Sequence, residues 1–520
     1  MPDPLHIAPV ALAFLFILYR IAKSIINGRG RRFRQLAASG GCEEPVDFTE
    51  PFPYGFRMLW RIMQLDKTGE DLLDDVMTEE FGDKTTFKKT THDGTTLIQT
   101  IEPANVQTLL ALKFNDFETG SRRRNILYPI VGDSIFSSDG AFWQHSRALF
   151  RPQFSRDNIN DLDATDRSCH DLINVIGEVD EAGWTDAVAL QPLLYNFTMD
   201  TASQFLFGES LHAQPSSLDA NADPEAIARS RIFIRAFDQI GVTAADRFRL
   251  QGLYFLADGP RFRRALSDVK AVTDHFVRRA IEEATEDDTK QDHKYSLLTA
   301  LARETKDETE LRNQILAILF AGRDTTASLL GWCFTRLALH PDILSALRLA
   351  ILRHFDNGEI SFASLKACRP LQNFINEVLR LHPTVPINGR FATKDTILPT
   401  GGGLSGTSPV AVRQGQFVLF SVYLMHRRKD LWGEDALEFR PERFEKKIPS
   451  WQFLPFIGGP RICLGQQFAI TEVGYLLVRM LQAFDRIEPV NAEEMRRMKK
   501  TLGLTVTAAE GVRVRLHRAK

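Results

Sequence analysis

Residues Phe456-Ile-Gly-Gly-Pro-Arg-Ile-Cys463-Leu-Gly465 decide how this 520-residue chain is read. The glycines Gly458, Gly459 and Gly465 let the backbone take positive φ and approach a flat partner closely, and Pro460 stiffens the turn. An apolar periodic run without proline follows from Leu464 to about Phe484. Cys463 therefore stands where a glycine-rich loop enters a helix. Backbone N–H groups there have no intrahelical partner and favour an anion. A free thiol titrates at about 8.5, and such surroundings together with a metal favour the thiolate. Arg461 is placed to pair with an anionic group beside the sulfur. Taken one at a time, these residues describe a loop with a buried cysteine and a surface arginine. At this fixed spacing they describe a ligand loop.

Composition around the loop narrows the class. The formal net charge of −2 and the absence of a long like-charge block exclude a strongly basic nucleic-acid binder. The length allows two to four domains of about 150 residues each. Five cysteines, Cys42, Cys169, Cys333, Cys368 and Cys463, are scattered and odd in number, with no Cys-x-x-Cys pair. That is neither a disulfide framework nor a zinc site, and the first four read as small buried hydrophobes.

At the amino terminus, Ile7 to Tyr19 is an apolar run interrupted by Arg20 and Lys23. Spanning a bilayer takes about 20 residues, reached here if those two side chains snorkel. No positive charge precedes the run and no Ala-x-Ala site follows it, whereas Arg29, Arg31, Arg32 and Arg34 do. This predicts an uncleaved membrane anchor over residues 1–28 with the remainder in the cytosol; a cleaved signal is the rival. The Asn196-Phe-Thr198 sequon is then silent. Residues 29–60, punctuated by Gly40, Gly41, Pro45, Pro51 and Pro53, read as a linker. Residues 61–520 read as the catalytic domain.

Helical patterns dominate the catalytic domain. The longest runs from Glu308 to His340, with an acidic start and Pro341 as its stop. A second covers Ser364 to Leu381. Val410–Val412 and Phe417–Phe420 read as the arms of a hairpin, and Val512, Val514 and Leu516 alternate with arginines as in a strand with one wet face. Neither strand–helix alternation nor a Gly-x-Gly-x-x-Gly nucleotide motif occurs.

The Cys463 segment resembles the haem-binding loop of the cytochrome P-450 family, Phe-x-x-Gly-x-Arg-x-Cys-x-Gly, at every fixed position. The resemblance implies a mainly α fold: a large helical part with a long central helix over the haem, and a smaller β-rich part. It implies haem b with Cys463 as axial ligand, Arg461 on a propionate and Phe456 packed by the thiolate. Thiolate ligation favours O–O cleavage. Ala321-Gly-Arg-Asp-Thr-Thr326 interrupts the apolar run of the long helix with costly choices. Alone it reads as a polar kink. It resembles the family's oxygen-activating motif, in which Gly322 makes room, Thr325 hydrogen-bonds the bound oxygen and Asp324 relays protons.

Glu377 and Arg380 share a helical face, and with Arg443 of Pro441-Glu-Arg-Phe444 they resemble the family's structural triad. Trp143 and Arg147, four apart, resemble its propionate-binding pair, and Arg390, after His382-Pro383, a further propionate arginine. The Pro-Pro-Gly-Pro hinge of the family is absent, with Pro51-Phe-Pro53 in its place.

The reaction implied is monooxygenation of a small apolar substrate, with electrons from NADPH through a separate flavoprotein, the membrane-bound NADPH–cytochrome P-450 reductase. Lys446, Lys447 and Arg427-Arg428-Lys429 form a candidate docking face, against the plain reading of solvated loop charge. The stretches from Ser421 to Phe444 and Phe456 to Phe484, and the glycine-rich Leu398–Gly403, resemble the fungal alkane and fatty-acid hydroxylase group. This implies terminal hydroxylation of long chains at the endoplasmic reticulum membrane. A fungal secondary-metabolite tailoring oxidase is the alternative. A redox-neutral isomerase or dehydratase and a haem sensor or carrier are rivals against which Asp324-Thr325 stands. Candidate pocket segments are Phe114–Phe136, Phe320, Thr384–Ile387 and Leu502–Val506.

Overall fold

The computed structural model describes residues 29–51, 55–92, 94–154, 162–214, 224–285, 296–356 and 359–519. The anchor expected over residues 1–28 lies outside them. Among the described residues no helix is long and apolar enough to cross a membrane. The fold is mainly helical with a smaller sheet part, and the chain divides into two units.

The sheet unit combines residues up to Phe56 with Phe81–Glu118 and Gly389–Phe420. Its six-stranded sheet runs in the order Val46–Asp47, Thr86–Thr90, Thr96–Thr100, Phe417–Ser421, Ile387–Ala392, Phe117–Glu118. One correction arises here. The hairpin expected between Val410–Val412 and Phe417–Phe420 does not form. Ser408–Val412 pairs antiparallel with Thr396–Gly402, while Phe417–Phe420 runs parallel to Leu97–Thr100. The alternation in both segments tells which side chains are buried, and it does not tell which strand lies alongside.

Residues 29–60, read as a linker in the sequence, are packed where they are described. Residues 29–39 are helical, with Phe33 buried beneath the Arg413 guanidinium at 4.2 Å. Glu43 N–H donates to Pro409, Gly403 N–H donates to Glu44, and Val46–Asp47 joins the sheet. Gly40, Gly41 and Pro45 punctuate packed pieces.

The helical unit is built around Glu308–Leu339. Asp307 caps its start, accepting from Thr309 and Glu310 N–H at 2.8 and 3.1 Å. Ala327, Ser328, Leu329, Leu330, Trp332 and Phe334 are all buried and between them point around the whole circumference of its second half, as in a helix at the centre of a core. It packs chiefly along Leu190–Phe207 and also meets Arg369–Leu381 and Gln466–Ala483. The Ser364–Leu381 stretch is two helices, Phe362–Ala367 and Arg369–Leu381. Pro370 belongs to the first turn of the second and lacks the N–H a continuous helix would use. The terminal strand, Arg513–Arg518, buries Val514 and Leu516 between Phe484–Pro489 and Val188–Ala189.

Candidate active site

The cysteine loop folds on its own carbonyls. Cys463 N–H donates to Phe456 at 3.2 Å and Ile462 N–H to Gly459 at 3.0 Å. Gly459 takes the positive φ expected of it, at 72°. Gly458 and Gly465 do not; the other residue of the loop in that region is Ile457, at 53°. Gly458 is needed for a different reason: a Cβ there would stand 2.8 Å from the Trp451 ring. Helix Gln466–Ala483 begins directly after Gly465. Cys463 is exposed, yet the surrounding protein desolvates its thiol and pushes its pKa up. The Gly465 N–H and the Arg147 charge pull the other way. An accessible sulfur in a desolvating recess suits a thiol that faces a large bound group.

Above the loop lies helix Gly140–Phe150. Trp143 is buried, the Arg461 guanidinium stands over its ring at 4.3 Å, and Arg147 lies 5.9 Å from the ring. Arg147 donates to the Ile462 carbonyl at 3.0 Å. Arg461 is expected on a propionate; here it donates to Ser138 O and to Asp139, at 3.0 and 2.5 Å. Asp139 also accepts from Thr119 and Gly120, and these donors with Arg461 hold its carboxyl low against the pull of burial. Arg123, whose guanidinium is held by the Phe136 carbonyl, adds a further charge. Burial first, then Arg123 and Arg147, bring Arg461 down to about 10, with Asp139 opposing. Arg461 and Arg123 thus act on one carboxylate while Arg147 adds a third charge beside them, and poorly solvated cations need anions. The excess fits the two propionates of haem b.

Glu377 and Arg380 are both fully buried, paired at 2.7 and 2.8 Å. Arg443 approaches Glu377 at 3.6 Å and is anchored on Trp432 O and Asp435. The three residues expected to form the triad do come together. Sequence reasoning missed the next link. Arg380 donates to the His426 carbonyl at 2.8 Å, and the His426 ring receives the Leu454 N–H at 3.0 Å, at the entrance to the cysteine loop.

On the central helix, Phe320, Ala321, Gly322, Asp324 and Thr325 are only partly covered, just ahead of the continuously buried stretch Thr326–Thr335. A Cβ on Gly322 would meet nothing within 4 Å among the described residues, so this face opens onto space. Thr325 donates its hydroxyl to Ala321 O at 2.7 Å. Burial raises the Asp324 carboxyl above its usual range, with Arg323 opposing. Phe320 meets Phe237 edge-on at 5.7 Å. Of the pocket segments, Thr384 O accepts from Val506 N–H at 3.1 Å. The Val506 carbonyl accepts from Ser328 and Trp332 of the central helix. Arg390 stands buried in a strand of the six-stranded sheet, donating to Gly389 O.

One basic residue leaves the candidate docking face. Arg427 is spent internally on the carbonyls of Tyr423 and Leu381, stacked over the Tyr423 ring. Arg428 is mostly covered and pairs with Asp430, and Lys429 pairs with Glu434. Lys446 and Lys447 are exposed. Their spacing in sequence is blind to this, because it records which charges are near and not which point inward.

A recessed thiol at a helix entrance, a desolvated arginine cluster and a core helix with an open polar face fit a haem-binding protein. A family model of cytochrome P450 matches residues 51–512. Cytochrome P450 monooxygenase g430 from a Fusarium species is 40% identical over 96% of this chain and 88% of its own length. Cytochrome P450 52A1 of Candida tropicalis is 40% identical over 82% and 79%. Cytochrome P450 52E1 of Candida apicola is 37% identical over 100% and 99%. The chain belongs to the cytochrome P450 family, and is a haem-dependent monooxygenase.

Proposed function

We propose that this enzyme hydroxylates long-chain alkanes or fatty acids, favouring the terminal carbon, with electrons from NADPH through a separate flavoprotein reductase. The observation that carries the site is the open face at Gly322, Asp324 and Thr325, just ahead of the buried stretch Thr326–Thr335 of the same helix. The substrate class rests on the resemblance of the Ser421–Phe444 and Phe456–Phe484 stretches to fungal alkane and fatty-acid hydroxylases. Haem b, when bound, supplies the activation of O2 and the transfer of one oxygen atom.

The remaining work falls to the chain. Cys463 would ligate the iron, with the Gly465 N–H and Arg147 favouring its thiolate. Phe456 packs by the sulfur. Arg461, Arg147, Trp143 and Arg390 would hold the propionates. Thr325, freed from Ala321 O, turns its hydroxyl towards the open face. Asp324, whose burial favours the protonated acid, carries protons to that face. Phe320 and Phe237 supply apolar surface that excludes water. Residues 1–28 anchor the enzyme in the endoplasmic reticulum membrane, and exposed Lys446 and Lys447 offer charge to an acidic reductase face.

Titrating the purified, haem-loaded protein with medium- and long-chain alkanes and fatty acids while watching the Soret band tests this. A saturable shift, followed by terminal hydroxylation when reductase and NADPH are added, is expected. A thiolate-type carbon monoxide band with no response to any lipid would discard the substrate class and keep the enzyme class.

A further inference from the structure

Between Gly322 and Asp324 the central helix carries an arginine with nowhere ordinary to go. The Arg323 side chain is 6% exposed, and its guanidinium is shared between two carboxylates. It lies 2.7 Å from Asp238, on helix Pro224–Leu250, and 3.2 Å from Asp324, its own neighbour. The shorter contact goes to Asp238, whose side chain is 55% exposed; that of Asp324 is 16% exposed. The rings of Tyr195 and Phe237 flank the guanidinium at 5.0 and 5.5 Å, and its Nε has no hydrogen-bond partner among the described residues.

Helix Pro224–Leu250 also covers the second oxygen of Asp324. A Cβ on Gly241, one turn beyond Asp238, would stand 3.8 Å from Asp324 Oδ2. Tyr195, on Leu190–Phe207, closes the cluster and hydrogen-bonds Thr507 of the Val506–Ala508 strand. Burial and the Asp324 charge push the Tyr195 hydroxyl up to about 12, so it stays neutral. Among the described residues, the charged groups facing Asp324 are therefore Arg323 and Asp238.

We propose that Asp238 is a positioning residue for proton delivery: holding Arg323 from the solvent side, it keeps Asp324 loosely paired and free to carry protons. This rests on the reading of Asp324 as the proton-carrying acid. Two carboxylates compete for one buried cation, and on its inner side, at Asp324, charge is screened less than in water. Burial raises the Asp324 carboxyl, Arg323 lowers it, and the Asp238 charge raises it again. Without that charge, Arg323 has one partner left. The Arg323–Asp324 pair tightens, and the carboxyl becomes both a weaker donor and less mobile.

The test compares D238N, D238E and D324N in the full-length, haem-loaded enzyme. Infrared carboxyl titration of the resting protein, with the Asp324 band assigned by its loss in D324N, is read alongside kcat, KM and peroxide release. For D238N we expect the Asp324 pKa to fall by about one unit and kcat to fall about tenfold. KM should stay unchanged and peroxide release rise, with D238E restoring all of these. Wild-type titration and kcat in D238N would overturn the proposal, as would a kcat loss with an unmoved Asp324 band or one that D238E fails to restore. If D324N itself turns over with wild-type coupling, the relay reading fails instead. If D324N uncouples while D238N matches wild type, only the role of Asp238 falls.

Discussion

Glu472 is buried, and no cation is paired with it among the described residues. Its side chain is bonded by the hydroxyls of Thr201 and Thr326, and burial pushes its carboxyl up to about 8. It stands in the helix that Cys463 leads into and touches the central helix next to Thr325, so a neutral acid ties the two halves of the site together. The sign of its pH dependence is the reverse of an ion-paired carboxylate. A folded pKa raised above the ordinary glutamate value of about 4.3 gives stability that is full below that value. That stability is lost as pH rises through about 8. The Glu472→Gln variant keeps the size and hydrogen bonds without the charge. The urea midpoint of the wild type should therefore fall relative to the variant between about pH 5 and pH 8.5, by an equivalent of up to about 5 kcal/mol. A difference that does not change with pH would show that Glu472 does not hold its proton in the folded state. No local signal marks this residue in the sequence, because a glutamate in an apolar periodic run reads as a surface position.

At the level of elements, the cysteine loop is hung from a helix far from it in the chain. Glu377 orients Arg380, Arg380 holds the His426 carbonyl, and the His426 ring takes the Leu454 N–H at the loop entrance. His426 Nδ1 donates to Arg380 O at 3.2 Å. The ring therefore uses one donor and one acceptor, the neutral tautomer. Burial drives its pKa down to about 3, so it stays neutral at any working pH. His426→Ala should cost about 1–3 kcal/mol by leaving the Leu454 N–H unpaired. It should also convert part of the thiolate-type carbon monoxide band to a shorter-wavelength form. A wild-type band and thermal midpoint in that variant would detach His426 from the loop. The spacing of Glu377, Arg380 and Arg443 was readable, since two of the three share a helical face and the third sits in a short motif. His426 was not, because its role depends on two elements meeting.

For the molecule as a whole, the described chain is bound into the sheet unit from its first helix onward, through Phe33, Glu43 and Val46. Deleting residues 1–28 therefore removes none of those ties. Such a chain should load haem normally and move from the membrane fraction towards the soluble one. An unchanged distribution on fractionation would remove the anchor.

What the amino-acid order determined alone was whatever chemistry is local. The cysteine loop, the polar break in the central helix and the helix boundaries at Asp307 and Pro341 are runs of adjacent residues whose spacing is itself the geometry. Tertiary structure alone decided three things: that Val410–Val412 and Phe417–Phe420 part company, that Arg427 is consumed inside, and that Arg323 is divided between Asp324 and Asp238. Periodicity specifies which face of an element avoids water. The partner on that face comes from a distant stretch of chain, and only packing of the whole core selects it.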